Sequence, residues 1–343
     1  MTYHATDADR AAGTLPPATL SQIRDDLRTI GFAVVGNLVS AETREVLLAS
    51  MLDDTAAVRE AATMTPHEQR TGKGHLQLGP RRSAPYVSAD IVANPLIESV
   101  VATVLGDGAW LGFYNGNVNC PGSGAQPLHA DRPYSWTTEA EALAAGEEWP
   151  PRTTTLSCST ALTDITIETG ATEIYPGSHR ETIVTTWEPG ERPASHPDLL
   201  EKWGPPASME IPAGGVCFRD PRMWHRGVPN PSDTPRPMLA LTYHEAIAKH
   251  YRGVVLHDIA PEIRRQLDAD PTLRLLDSGE LADGRLVFDE SARQAFEVPS
   301  PHGIDRNVRF VSPPQRVNHF LDAHFVGGAR LVDDGAELLV ADP

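Results

Sequence analysis

Gly214-Gly215-Val216-Cys217-Phe218, Trp224-His225-Arg226-Gly227 and Arg236-Pro237-Met238-Leu239-Ala240-Leu241 follow one another within one short stretch of a 343-residue chain, and their order decides the fold. A glycine pair and an apolar run read as a strand leading to a histidine. Residues 228–235 then hold three prolines and Asn230, a turn-forming run, before Arg236 opens a second apolar strand. Paired as a hairpin centred near Asn230 and Pro231, these strands would set His225 and Arg236 roughly opposite each other. Further out the pattern repeats. Short apolar strands at 110–114, 153–162, 172–175, 209–211, 215–218 and 237–243 are separated by proline and glycine. Many short strands with turn signals predict a mainly β protein, a β-sandwich or jelly-roll barrel.

Ahead of this region the periodicity is helical. Residues 1–17 are polar, end in Pro16-Pro17 and read as a loose leader. Leu20, Ile23 and Leu27 then predict a helix over 18–29. A strand follows at 31–35, and Ser40 caps a helix over 41–63 with Val46, Leu47 and Met51 on one face. The expected organisation is a helical part at 18–108, a jelly-roll core at 109–250, and an extension at 251–343. That extension shows helix-like patterns such as 261–267 but no recognisable motif. It is expected to pack on the core and is a candidate dimer contact.

Charged residues at 22% and hydrophobic residues at 40% describe an ordinary soluble chain. With 29 Lys and Arg against 46 Asp and Glu, the net charge of −17 disfavours nucleic acid and anionic membranes as partners. The N-terminus lacks the charged start and apolar core of a leader peptide, and no stretch approaches the ~20 apolar residues that span a bilayer. Cys120, Cys158 and Cys217 are odd in number and scattered, which fits reduced thiols in the cytoplasm.

The chemistry lies in His129-Ala130-Asp131 and His225. In extended backbone, positions 129 and 131 point to one side, so both can grip one cation while Ala130 points away. Two imidazoles and a carboxylate on one face of an octahedron suit Fe(II), because three positions remain open for a bidentate cosubstrate and dioxygen. A structural zinc site would close all four positions, usually with cysteine. Arg236 offers a planar fork for the remote carboxylate of a dicarboxylic acid, which favours 2-oxoglutarate.

With these residues in place, the chain resembles the phytanoyl-CoA dioxygenase family of Fe(II)/2-oxoglutarate oxygenases. The matching stretches are Gln126-Pro127-Leu128-His129-Ala130-Asp131, Gly170-Ala171-Thr172-Glu173-Ile174-Tyr175-Pro176-Gly177-Ser178-His179-Arg180, and Trp224-His225 through Arg236. The resemblance implies a double-stranded β-helix, cupin-like core with His129, Asp131 and His225 on iron and Arg236 on the 2-oxoglutarate carboxylate. It further implies that Gln126 and Thr172 touch the cosubstrate. Halogenating relatives replace the carboxylate ligand by a small residue, so Asp131 argues against halogenation. Implied cofactors are Fe(II), 2-oxoglutarate and dioxygen. The implied reaction hydroxylates an unactivated C–H bond, with release of succinate and carbon dioxide.

Tyr134 and Trp136 follow the metal motif and are candidate substrate contacts, as are Arg81, Arg82 and Tyr86. Residues 137–152 read as a helical insert over the barrel mouth. Glu139, Glu141, Glu147 and Glu148 there favour a neutral or cationic substrate over an acyl-CoA. The expected substrate is a small specialised metabolite of the kind made in antibiotic biosynthesis: a sugar-like cyclitol, an amino-acid derivative or a terpenoid. Two other readings use the same barrel. One is a non-catalytic metal- or small-molecule-binding protein; the other is a cupin-like metal isomerase or hydrolase, which would have no need of Arg236.

Overall fold

The computed structural model describes residues 2–61, 64–78, 85–131, 136, 138–188 and 190–246, and five short strands beyond them. The first half carries β1 (Thr2–His4), α1 (Asp7–Ala12), α2 (Pro17–Thr29), β2 (Phe32–Gly36), α3 (Ala41–Ala61), α4 (Pro66–Thr71), β3 (His75–Leu78), α5 (Ala89–Val92), α6 (Pro95–Leu105) and β4 (Trp110–Asn119). Then come α7 (Glu139–Ala144), β5 (Thr155–Ala161), β6 (Thr172–Ile174), α8 (Pro197–Trp203), β7 (Ala207–Met209), β8 (Val216–Arg219), β9 (His225–Arg226) and β10 (Arg236–His244). Strands Ser278–Glu280, Leu286–Phe288, Arg309–Val311, Arg330–Asp333 and Ala336–Leu338 pair in chain order as an antiparallel meander. The helical pattern read at 261–267, and the packing expected of the extension, fall outside the described residues.

Two sheets make the core. A seven-stranded sheet runs β1-β2-β8-β5-β10-β4-β3, and a three-stranded sheet runs β7-β6-β9. This is a jelly-roll core of the cupin type, mainly β with flanking helices.

Strand β10 shows how the large sheet is used. Leu239, Leu241 and Tyr243 are fully buried, in one apolar cluster with Ile23 and Leu27 of α2, Leu47 and Met51 of α3, and Val100 of α6. Burying each such side chain stabilises the fold by about 1.5–3 kcal/mol. The alternate residues Met238, Ala240 and Thr242 are only half-buried and line a cavity between the sheets. Period-two alternation therefore separates a packed outer face from a hollow inner one.

The helices start where local chemistry permits. Asn94 caps α6, its Oδ1 accepting from the N–H groups of Leu96 at 3.0 Å and Ile97 at 3.3 Å, with Pro95 at the first helical position. At α4, Thr65 and Glu68 form a reciprocal capping box. Glu68 also accepts from Arg59 at 2.9 and 2.7 Å and from the Gly74 N–H at 2.7 Å, which ties α3, α4 and the entry to β3 together. Among the described residues no helix is long and apolar enough to cross a membrane.

Several expectations need correction. Residues 1–17 do not form a loose leader: β1 adds to the sheet edge in parallel with β2, Thr2 beside Val34. A capping box of Thr6 and Asp9 opens α1, Gly13 closes it in the left-handed region, and Ala5 and Leu15 are buried. Val46 does not share the buried face of Leu47 and Met51; it is 50% exposed, because an i, i+1 neighbour turns away from its helix face. Strand β4 continues to Asn119 through residues that read as turn formers. At Gly116 a Cβ would come within 2.8 Å of the Met51 Cε and 3.3 Å of the Leu78 carbonyl, so α3 and β3 both pack closely over this position. The hairpin expected around Asn230 does not form either. Strand β9 belongs to the small sheet and β10 to the large one, so the proline-rich run is a crossing between sheets.

Candidate metal centre

The three ligand candidates converge although 129 and 225 are far apart in sequence. The His129 N–H donates to the His225 carbonyl at 3.0 Å, and the His225 N–H returns to the His129 carbonyl at 2.8 Å. This antiparallel bridge sets the imidazole centroids 4.5 Å apart. Leu128 and Trp224, each one position earlier, point away into a separate apolar cluster with Tyr175 that backs the pair. Asp131 stands at a bend instead of in a regular strand, its N–H donating to the Pro221 carbonyl at 2.9 Å. Its carboxylate lies 3.6 Å from His129 Nε2 and 3.4 Å from His225 Nε2. One donor atom from each residue falls within 4.8 Å of the others.

The tautomers fit metal binding. His129 Nδ1 faces the Pro127 carbonyl at 2.7 Å and His225 Nδ1 faces the Met223 carbonyl at 2.9 Å. A carbonyl can only accept, so each Nδ1 carries the proton and each Nε2 keeps its lone pair for a cation. Burial pushes the His225 imidazole below its ordinary range, and the Arg219 guanidinium adds to this, so the ring is neutral. Burial alone would raise the Asp131 carboxyl, but the group is held well below the usual carboxylate range, with the Arg219 guanidinium on Oδ2 favouring the ionised form.

Arg219 was not singled out by the sequence reading. At the end of β8, with its side chain 7% exposed, it donates through Nη2 to Asp131 Oδ2 at 2.5 Å. Its Nη1 stands 3.2 Å from His225 Nδ1. Since that nitrogen already gives its proton to Met223, the Nη1 contact is a donor beside a donor and makes no hydrogen bond. The available signal was an arginine closing an apolar strand six positions before the histidine.

Arg236 is 4% exposed at the start of β10. Its Nη2 donates to the Gly170 carbonyl at 3.0 Å, its Nε has no partner, and no carboxylate among the described residues pairs with it. Burial drives its pKa down to about 10. Gly170 adopts φ +74°, and a Cβ there would meet Asn119 Nδ2 at 2.6 Å and the Pro229 carbonyl at 2.8 Å, so glycine lets its carbonyl reach the guanidinium. His225 and Arg236 thus face one cavity from opposite sheets. That cavity, of about 360 Å³, is also lined by Gln126 and Thr172. Gln126 is held by two bonds of 2.9 Å with Gly227, its Oε1 accepting from the Gly227 N–H and its own N–H donating to the Gly227 carbonyl.

Other candidates fall elsewhere. Tyr134, Arg81 and Arg82 lie outside the described residues. Trp136 is half-buried but does not line the cavity. Tyr86 is a core residue, its hydroxyl donating to Asp54 at 2.5 Å. Helix α7 is a single short helix with Glu141 engaged in its cap. Glu147 pairs with Arg152 at 3.2 Å and Glu148 with Arg28 at 3.0 Å. None of residues 138–152 lines the cavity, so neither a lid nor an acidic entrance is built from them. His179 is remote from the triad, with Nε2 at 3.2 Å from the Arg28 carbonyl.

Residues 27–238 match the family model of phytanoyl-CoA dioxygenase (PhyH). The chain belongs to the phytanoyl-CoA dioxygenase family. Members of this family are oxygenases that use Fe(II), 2-oxoglutarate and dioxygen. A curated relative, dioxygenase af480 of Aspergillus fumigatus, is 28% identical over 161 residues, covering 46% of this chain and 44% of the relative. The chain therefore spans less than half the length of that relative. Ectoine dioxygenase of Bordetella bronchiseptica is 26% identical over 234 residues, covering 62% of this chain and 71% of the relative. Among solved structures, AviO1 from Streptomyces viridochromogenes shares the fold with a TM-score of 0.50 and 18% identity, over 67% of this chain and 97% of that one.

Proposed function

We propose that the protein is an Fe(II)/2-oxoglutarate-dependent dioxygenase that hydroxylates an unactivated C–H bond of a small specialised metabolite. One observation carries this reading: a buried guanidinium with no carboxylate partner among the described residues lines the same cavity as a three-donor cluster of two imidazoles and a carboxylate. The donor set fits iron, with Nε2 of His129, Nε2 of His225 and a carboxylate oxygen of Asp131 as ligands. Arg236 fits the remote carboxylate of 2-oxoglutarate, because a buried cation of this kind gains most from a charge-assisted pair.

When bound, iron with 2-oxoglutarate and dioxygen supplies the oxidation: the keto acid leaves as carbon dioxide and succinate, and one oxygen atom enters the substrate C–H bond. The chain's own residues prepare this. Pro127 and Met223 carbonyls fix the ring orientations of the two histidines. Arg219 holds Asp131 Oδ2, which also lies 3.4 Å from His225 Nε2, while Oδ1 faces His129 Nε2 at 3.6 Å. With Asp131 as the carboxylate ligand, the residues present would leave no ligand position vacated for a halide. Free, buried Cys120, Cys158 and Cys217 support a reducing, cytoplasmic setting.

Succinate release in the presence of Fe(II) and 2-oxoglutarate, together with a metal-dependent spectral change on adding the keto acid, tests the reading. Metal binding with neither response would favour a non-catalytic binding protein. Tight zinc or manganese with turnover independent of 2-oxoglutarate would favour the isomerase or hydrolase.

A further inference from the structure

We infer that the substrate is a neutral, polyhydroxylated molecule of the sugar or cyclitol class, held face-on against the large sheet. The inference rests on the oxygenase reading and concerns the part of the cavity that 2-oxoglutarate does not fill.

The strand register lays the wall out in rows. At one end Arg236 of β10 stands beside Asn119 of β4, which pairs with His75 of β3. At the other end Arg219 of β8 stands beside Ser157 of β5, Ser157 beside Thr242 of β10, and Thr242 beside Phe113 of β4. Between them lie Ser159 beside Ala240, and Met238 beside Asn117, which pairs with Gln77. Arg236 and Thr242 are six positions apart on one strand, roughly 20 Å of extended backbone. A five-carbon diacid anchored at Arg236 is much shorter than this span, so part of the wall is left to the substrate.

Five side chains of that wall, Gln77, Asn117, Ser157, Ser159 and Thr242, are neutral hydrogen-bonding groups that line the cavity. No hydrogen bond joins any of them to another described residue, in contrast to Asn119 and Gln126, which are tied to backbone groups. They stand in three neighbouring rows, Gln77 and Asn117 on one side of β10 and Ser157 and Ser159 on the other, and all face the one cavity. A substrate that displaces water from it must return hydrogen bonds, and each group left unmatched costs about tenfold in affinity.

The charges of the wall are committed: Arg219 pairs with Asp131, and Arg236 is the cosubstrate anchor. No other acidic, Lys or Arg side chain among the described residues lines the cavity, so the recognition groups these residues offer are neutral hydrogen-bonding side chains and the imidazoles of His67 and His75. Phe113 supplies a flat apolar surface in the same row as Ser157 and Thr242. A ring with hydroxyl groups around its edge and C–H groups on its face meets both demands. A hydrocarbon-rich terpenoid would strand the five polar groups, and an acyl-CoA would find no uncommitted Lys or Arg for its phosphates among the described residues that line the cavity.

The test uses the full-length protein loaded with Fe(II) and 2-oxoglutarate, with coupled succinate release read against three panels: neutral polyols and glycosides, hydrocarbon-rich terpenoids, and acyl-CoAs. The expected result is stimulation confined to the first panel, with a product heavier by one oxygen. Ser157→Ala and Thr242→Val should each raise the KM of the stimulating compound about tenfold, while the 2-oxoglutarate Kd, measured with Co(II) in place of iron, shifts less than about twofold. No stimulation by any polyol or glycoside, stronger stimulation by another panel, or an unchanged KM in both variants overturns the inference. Failure of the metal-loaded protein to bind 2-oxoglutarate is a different result; it overturns the oxygenase reading on which the inference stands.

Discussion

Replacing Arg236 by methionine should move stability and cosubstrate binding in opposite directions. The guanidinium is buried, bonded among the described residues only to the Gly170 carbonyl, and its pKa falls from 12.5 to about 10. At about 1.4 kcal/mol per pKa unit, keeping it charged in the apo protein costs about 3 kcal/mol. Arg236→Met removes that cost and forfeits one charge-assisted hydrogen bond, about 2 kcal/mol. The apo variant should therefore be more stable by about 1 kcal/mol, a rise in Tm of about 2 °C. The carboxylate of 2-oxoglutarate loses two parallel charge-assisted bonds, at least about 3 kcal/mol together, so its Kd should rise at least about 100-fold. Thermal unfolding of metal-free protein and 2-oxoglutarate titration of the Co(II) form measure the two effects. An apo variant destabilised by more than about 2 kcal/mol, with 2-oxoglutarate affinity within threefold of the parent, would refute the assignment of Arg236 as an anchor awaiting an anion.

Arg219→Met should weaken metal binding about 10- to 100-fold, the usual cost of losing the group that orients a ligand, since Asp131 Oδ2 loses its partner; titration with Co(II) reads this directly, and an unchanged Kd would remove Arg219 from the site. His225→Ala should abolish stoichiometric metal binding and succinate release together, and metal analysis showing full occupancy would contradict the ligand set. Burial would raise the Glu68 carboxyl, but Arg59 and the N–H groups of Thr65 and Gly74 outweigh it and hold the pKa at about 2 against an ordinary 4.5. A depressed carboxyl contributes stability present above pH 4.5 and lost as pH falls from there toward 2. Glu68→Gln should cost about 3 kcal/mol at neutral pH and flatten that acid limb in urea unfolding; an acid limb identical to the parent's would contradict it.

The parts of the site legible in the sequence were those written in local pattern. Alternation along β10 survives folding because period-two strands keep their residues on known faces, whereas the strand read as leading to His225 ends at Arg219 and His225 opens the separate strand β9. The hairpin was misread because a run with three prolines ends hydrogen-bonded pairing whether the chain turns back or crosses to another sheet. Only the partner strands distinguish the two, and those are remote in sequence. Strand β1 was hidden for the same reason: three polar-looking residues gain their order from a parallel neighbour some thirty positions later. The Thr6 and Asp9 cap of α1 was there to be read. Arg219 was not, since a charged residue at a strand end is ordinarily solvated, and only the folded chain brings it against Asp131.

The reciprocal main-chain bonds between His129 and His225 mean that two of the three proposed ligands are brought together by backbone pairing that needs no ion. Such a socket recruits cations without rebuilding its scaffold, so nickel or zinc should slip in as readily as iron and simply fail to turn over. Fidelity for the working metal then rests on what the cell supplies, and a purified sample can be fully metallated yet silent until it is stripped and recharged under exclusion of air.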